Sequence, residues 1–239
     1  MKRINQIIWT VILCCASWTA QAQSAEVREV LEKVSSYYEK LNTYEIAMTY
    51  SMYKGLTGEK ITEQYEGTLS RKGALRNLNI LGSEMISDGQ KQLVVDHASK
   101  QMAYFDQGGN AQHENMLDLT YLLETFSHNQ LRQEGKYLIC ELLPSSGAIQ
   151  SPYGKIELYI NSANYSIEKQ VFYFANLIPF KNDDGLGSVS DYGRLIVSFE
   201  QKTLSANRIH DFDHYLSRSG SNLTVSSSYQ QYQLINQAN

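Results

Sequence analysis

The densest run of chemistry-bearing side chains is His210-Asp211-Phe212-Asp213-His214, where imidazole and carboxylate, the groups that hold zinc and similar ions, alternate. Read as an extended segment, it sends both histidines and Phe212 to one face and both aspartates to the other. Four ligands so placed cannot converge, and a polar edge strand or surface turn is the expectation. Asn182-Asp183-Asp184-Gly185 resembles part of a calcium loop but lacks the later bidentate glutamate, which leaves a plain turn. His97 and His128 stand beside turn residues and His113 in a polar loop, where solvated histidines are ordinary. Cys140 alternates with Leu138 and Leu142, so its thiol is expected in a packed core, where it acts as a small apolar group. No Gly-x-Ser-x-Gly elbow, Walker loop, dinucleotide fingerprint or His-Glu-x-x-His occurs. The chain is therefore read as non-enzymatic, with no cofactor and no metal.

Its start is a cleavable export signal. Lys2 and Arg3 precede an apolar stretch from Ile7 to Ala16, and Ala20-Gln21-Ala22 offers small residues at the positions a signal peptidase reads. Cleavage after Ala22 is favoured over acylation at Cys14 or Cys15, because Leu13 precedes Cys14. Residues 1–22 are thus the signal, and residues 23–239 a single soluble domain in the periplasm, with no integral membrane segment. Cys140 alone remains, so no internal disulfide can hold the fold. Asp and Glu number 25 against 21 Lys and Arg, with no basic run, which argues against nucleic acid as a partner.

The elements that carry these residues are mostly strands. Ser24 is placed to cap a helix from Ala25, with Val27, Val30, Leu31, Val34, Tyr38 and Leu41 at helical spacing. The period then changes to two. Ile46, Met48, Tyr50 and Met52 alternate with polar residues, Gly55-Leu56-Thr57-Gly58 turns the chain, and Ile61 to Leu69 returns. Short runs at 75–81, 84–87, 93–96 and 102–105, closed by glycine turns, give an antiparallel meander. Asn115 to Phe126 interrupts it with Met116, Leu117, Leu119, Tyr121, Leu122, Leu123 and Phe126, an apolar arc too wide for a helix with one face in water. Strands are predicted again at 137–143, 155–161, 166–174, 194–200 and 223–233, with excursions at 178–188 and 218–221.

The order of these features resembles the periplasmic outer-membrane lipoprotein carriers, the LolA-like proteins. The resemblance rests on Lys33-Val34-Ser35-Ser36-Tyr37 in the leading helix, Gly67-Thr68-Leu69 in the first hairpin, and Glu84-Met85-Ile86-Ser87-Asp88-Gly89 followed by Leu93-Val94-Val95-Asp96. It implies a mostly β (α+β) fold: an unclosed antiparallel β-barrel with an N-terminal helix and an inserted lid helix covering its concave face. It further implies acyl chains held against Ile46, Met48, Tyr50, Met52, Leu69, Leu78, Val95, Met116, Leu119, Leu122, Leu123 and Phe126. The family's Arg-Pro lid latch falls here on Lys72-Gly73, with Arg71 adjacent; lysine lacks arginine's planar fork. The family's C-terminal pattern gives way to Tyr229-Gln230-Gln231-Tyr232-Gln233.

The function expected on these grounds is that of a monomeric carrier or binding protein for acylated lipoproteins, lipids or other hydrophobic ligands, working without catalysis and in contact with envelope membrane complexes. The alternative is an envelope scaffold or sensor domain that binds another protein and carries no lipid.

Overall fold

The computed structural model describes residues 25–106, 117, 119–120, 122–144, 151–182, 185–203, 209–220 and 222–237. The export signal at residues 1–22, Ser24, His113, Met116, Tyr121, Asp183 and Asp184 lie outside the described residues. The protein is mostly β with an N-terminal helix, and two compact units divide it. The first comprises the chain through Tyr38, Lys54–Glu59 and Leu117–Leu195; the second comprises Glu39–Tyr53, Lys60–Met116 and Ile196–Asn239.

In the first unit, the leading helix occupies residues 25–40 (α1) and buries Val27, Val30, Leu31, Val34 and Tyr38, the face its spacing predicts. Lys33 pairs with Glu29 one turn earlier at 2.7 Å. The strands here are β7 (His128–Glu134), β8 (Tyr137–Leu143), β9 (Tyr153–Asn161) and β10 (Ile167–Phe174), antiparallel in the order β10-β9-β8-β7. One face brings Leu131, Cys140 and Leu158 opposite one another, and beside them Leu142 and Ile156. Strand β7 was not anticipated, because His128-Asn129-Gln130-Leu131-Arg132-Gln133-Glu134 holds one apolar residue and shows no period. The excursion at 178–188 is a hairpin, β11 (Ile178–Lys181) with β12 (Ser188–Asp191).

The second unit is built on the meander: β1 (Thr43–Lys54), β2 (Ile61–Lys72), β3 (Leu75–Ile80), β4 (Ser83–Ser87), β5 (Lys91–Asp96) and β6 (Gln101–Asp106), each antiparallel to the next. Leu81-Gly82 joins β3 to β4 with φ of 53° and 74° at its two central residues, a conformation glycine adopts freely and leucine only at a steric cost. Strand β13 (Gly193–Lys202) runs from the first unit into the second. Neither run of strands closes on itself: β7 ends one, and β16 (Gln233–Asn236), parallel to β6, ends the other.

The C-terminal region corrects two expectations. The run His210 to His214 is not extended throughout: after an extended Asp211, a helical turn, α3 (Phe212–Tyr215), brings His210 and His214 into a ring stack with centroids 3.9 Å apart. The strand expected over 223–233 is instead β15 (Asn222–Val225), a 3-10 turn at Ser227–Tyr229, and then β16. Strand β14 (Leu216–Ser219) pairs with β15. The physical reason is a core: Tyr215 and Leu216 are buried with Ile86, Leu93, Val95, Met102 and Tyr104, and Phe212, Leu223, Tyr229 and Tyr232 pack around them. Reaching that core requires the chain to turn twice.

Candidate functional site

Because directly opposed residues share a side of a sheet, the registers of the second unit can be read across strands. Ile46 stands opposite Leu69, Leu69 opposite Leu78, Leu78 opposite Met85, Met85 opposite Val94, and Val94 opposite Ala103. The parallel pairing of β16 adds Ile235 beside Ala103. Seven strands thus contribute one unbroken apolar row with no charged side chain in it, about 25–30 Å long at the usual strand spacing. A second row on the same side runs from Met48 through Gly67 to Ile80, and Tyr50 lies opposite Tyr65. Gly67 lets the strands approach closely there: a Cβ would stand 3.3 Å from the Tyr50 ring and 3.1 Å from the Asn79 carbonyl oxygen. The Tyr50 hydroxyl donates to the Met48 sulfur at 3.4 Å, and burial raises its pKa above the ordinary value.

Burial along this Met48 face is graded. Ile46, Met48 and Leu69 are buried, Leu78, Met85, Val94 and Ala103 half-buried, and Ile235 is 40% exposed. The opposite side, the Leu93 face, carries Val95, which falls in the row of Ala47, Thr68, Asn79, Glu84 and Met102 and lies wholly under the C-terminal segment. Of the residues the sequence picks out, Ile46, Met48, Tyr50, Met52, Leu69 and Leu78 therefore share one side, and Val95 takes the other. Met85, Val94, Ala103 and Ile235 complete the row and were not singled out.

Leu119, Leu122, Leu123 and Phe126 belong to the first unit, where all four are buried together with Leu117. The expected long helix over 115–126 is, among the described residues, one helical turn, α2 (Leu122–Thr125), preceded by tight turns in which Leu122 N–H donates to Leu119 and Leu123 N–H to Thr120, each at 3.1 Å. Leu119 is thereby buried from a turn. The Arg71 guanidinium donates to the Gly73 carbonyl at 2.9 Å and stands opposite Tyr44, whereas Lys72 is exposed on the other side of β2.

Among the described residues, Cys140 and His97 are engaged in structure. Cys140 is fully buried, and burial pushes its thiol up to about 12. His97 bridges Tyr232 at 2.8 Å and Glu84 at 3.3 Å, and the Tyr215 hydroxyl donates to the same glutamate. Among the described residues no three His, Cys, Asp or Glu side chains gather as a metal site would require, and no helix is long and apolar enough to cross a membrane.

No family model matches the chain, and no curated protein matches it. Solved structures do resemble it in fold. An uncharacterized conserved protein from Thermus thermophilus aligns over 88% of this chain and 99% of its own, with 12% identity and a TM-score of 0.47. A LolA superfamily protein from Nitrosomonas europaea aligns over 77% and 96%, with 15% identity and a TM-score of 0.32. A putative outer membrane lipoprotein-sorting protein domain from Vibrio parahaemolyticus aligns over 79% and 96%, with 10% identity and a TM-score of 0.34.

Proposed function

We propose that this chain is a non-catalytic carrier or binding protein of the periplasm, that it takes acylated lipoproteins or other hydrophobic ligands, and that it works as a monomer after losing residues 1–22. The observation that supports this reading is the apolar row from Ile46 to Ile235, whose outer half is incompletely covered while the other side of the same strands is filled by the chain's own C-terminal segment. A row that is apolar along its whole length yet only half-buried beyond Leu69 has surface to offer. Each methylene withdrawn from water contributes about 0.8 kcal/mol, so one acyl chain laid along the row would be held without any covalent step. The export signal supplies the compartment, and the acidic charge disfavours anionic surfaces as the ligand.

The test is titration of the exported, delipidated chain with a fluorescent diacyl lipopeptide and with its deacylated peptide. Saturable binding of the acylated form in the micromolar range, with none of the bare peptide, is expected. Equal binding of the two would overturn the lipid reading and favour a surface that recognises protein.

A further inference from the structure

On the Leu93 face of the second unit lies a cavity of about 190 Å³, walled by β5, β6, α3, β14 and β15. Its apolar floor is Tyr104, Phe212, Leu216 and Leu223, and its rim carries Lys91 and Arg218 with Asp211 and Asp213. Two positive and two negative side chains thus surround one small space, yet among the described residues none of the four closes an ion pair. Opposite charges so near one another ordinarily pair, and these are held apart around the opening instead.

The floor adds a second, independent observation. Tyr104 is 3% exposed and its hydroxyl is buried with no hydrogen-bond partner. A polar atom left in that state costs about 1–3 kcal/mol, and a native fold tolerates it where something else fills the need. Its ring packs edge-on to Phe212 at 6.4 Å, so the hydroxyl cannot easily swing to water.

We propose that this cavity binds a compact zwitterion with a short apolar body: an anionic group between Lys91 and Arg218, an ammonium toward Asp211 and Asp213, and the body on Phe212, Leu216 and Leu223. The space corresponds to roughly six waters at ~30 Å³ each, which suits an amino acid or a lipid headgroup and excludes acyl tails. The site lies on the side of the sheet opposite the apolar row, so it stands or falls independently of the lipid proposal.

The experiment is NMR titration of the exported chain with two zwitterions, L-leucine and glycerophosphoethanolamine, and with two single-charge analogues of leucine, isopentylamine and 4-methylpentanoate. Saturable shifts of the Tyr104 and Phe212 resonances at millimolar ligand are expected with at least one zwitterion, at least about tenfold weaker with either analogue. Leucine alone would identify an amino-acid ligand, and the glycerophosphodiester alone a headgroup. Arg218→Gln and Asp213→Asn, both at exposed positions, should each weaken binding about tenfold with unchanged Tm. Tyr104→Phe should weaken binding while leaving Tm equal or higher, a split that a purely structural hydroxyl would not give. The proposal is overturned if neither zwitterion saturates, if the analogues bind as well, or if all three variants bind as the parent does.

Discussion

Glu157 lies directly opposite Glu141 across β9 and β8, yet it is only 5% exposed. Two like charges facing each other on a sheet repel, and burial raises the cost. The compensation is local. Lys155 reaches Glu157 at 3.1 Å, Arg132 stands 3.7 Å from both glutamates, and the hydroxyls of Tyr159 and Tyr173 donate at 3.2 and 3.1 Å. Burial pushes the Glu157 carboxyl up, but Lys155, Tyr173 and Arg132 together outweigh it and hold it below the ordinary 4.5. Because the folded value is depressed, its contribution to stability is present above about pH 4.5 and is lost as the pH falls through the folded value. Glu157→Gln should therefore cost about 1–3 kcal/mol in urea unfolding at neutral pH, and the difference from the parent should vanish in acid. A cost that persisted at low pH would place the effect in packing and not in charge. The alternation of Lys155, Glu157 and Tyr159 against Ile156, Leu158 and Ile160 was legible in the sequence, but the burial of Glu157 was not. Lys155 and Lys169 lie over the Tyr173 and Tyr159 rings at 4.3 and 3.7 Å, and the hydroxyls of those two tyrosines both donate to the Glu157 carboxylate.

Among the elements, α1 and the six strands β1 to β6 could be read directly, α1 and the first hairpin from a clean period of 3.6 or 2 and the shorter strands from the turns that close them. Strand β7 and the C-terminal hairpin could not: β7 holds one apolar residue and shows no period, and β14 and β15 are set by Tyr215 and Leu216 packing on Ile86, Leu93 and Val95, far away in the chain. One contact shows how α1 is tied into its unit. The ladder between β9 and β10 slips between Ile167 and Lys169, and the Ile167 N–H is taken by the Tyr38 hydroxyl at 3.0 Å, a buried bond across 129 positions. Tyr38→Phe leaves that N–H without a partner and should destabilise the chain by about 1–3 kcal/mol, with faster amide exchange at Ile167 as the signature. The C-terminal segment should respond to pH. Burial first, and then the neighbouring His210, hold His214 below its ordinary 6.5, while Glu84 and Asp211 pull the other way. Its Nε2 shares a hydrogen bond of 3.1 Å with Tyr229, which itself packs on Tyr215. A depressed histidine favours the neutral form, so its stabilisation holds above about pH 6.5 and is lost as the pH falls below that. Amide protection in β14 and β15, corrected for the pH dependence of intrinsic exchange, should fall on acidification through that range, and His214→Gln should flatten the response.

At the scale of the whole molecule, the decisive property is that from β4 to β6 the meander carries apolar residues on both sides, with different fates. Leu93-Val94-Val95 is apolar at three successive positions, so alternation alone cannot say which side each residue takes, and Val95 was grouped with Leu78 although the register separates them. The phase is fixed only by what packs on the Leu93 face, and that is a segment more than a hundred residues further along the chain. The two sides can be told apart by placing the same charge on each. Val95 is fully buried beneath Tyr215 and Leu216, so Val95→Glu must bury an unpaired carboxylate and should cost several kcal/mol, enough to unfold a marginal unit. Leu78 is half-buried in the open part of the apolar row, where a glutamate can reach water, so Leu78→Glu should cost only about 1 kcal/mol. If the row is where an acyl chain lies, Leu78→Glu should still weaken lipopeptide binding at least about tenfold, because the charge must be desolvated beneath the ligand. Thermal melts and binding isotherms of the two variants side by side decide the matter: a Leu78→Glu chain that melts with the parent and binds with parental affinity would remove the row from the binding surface.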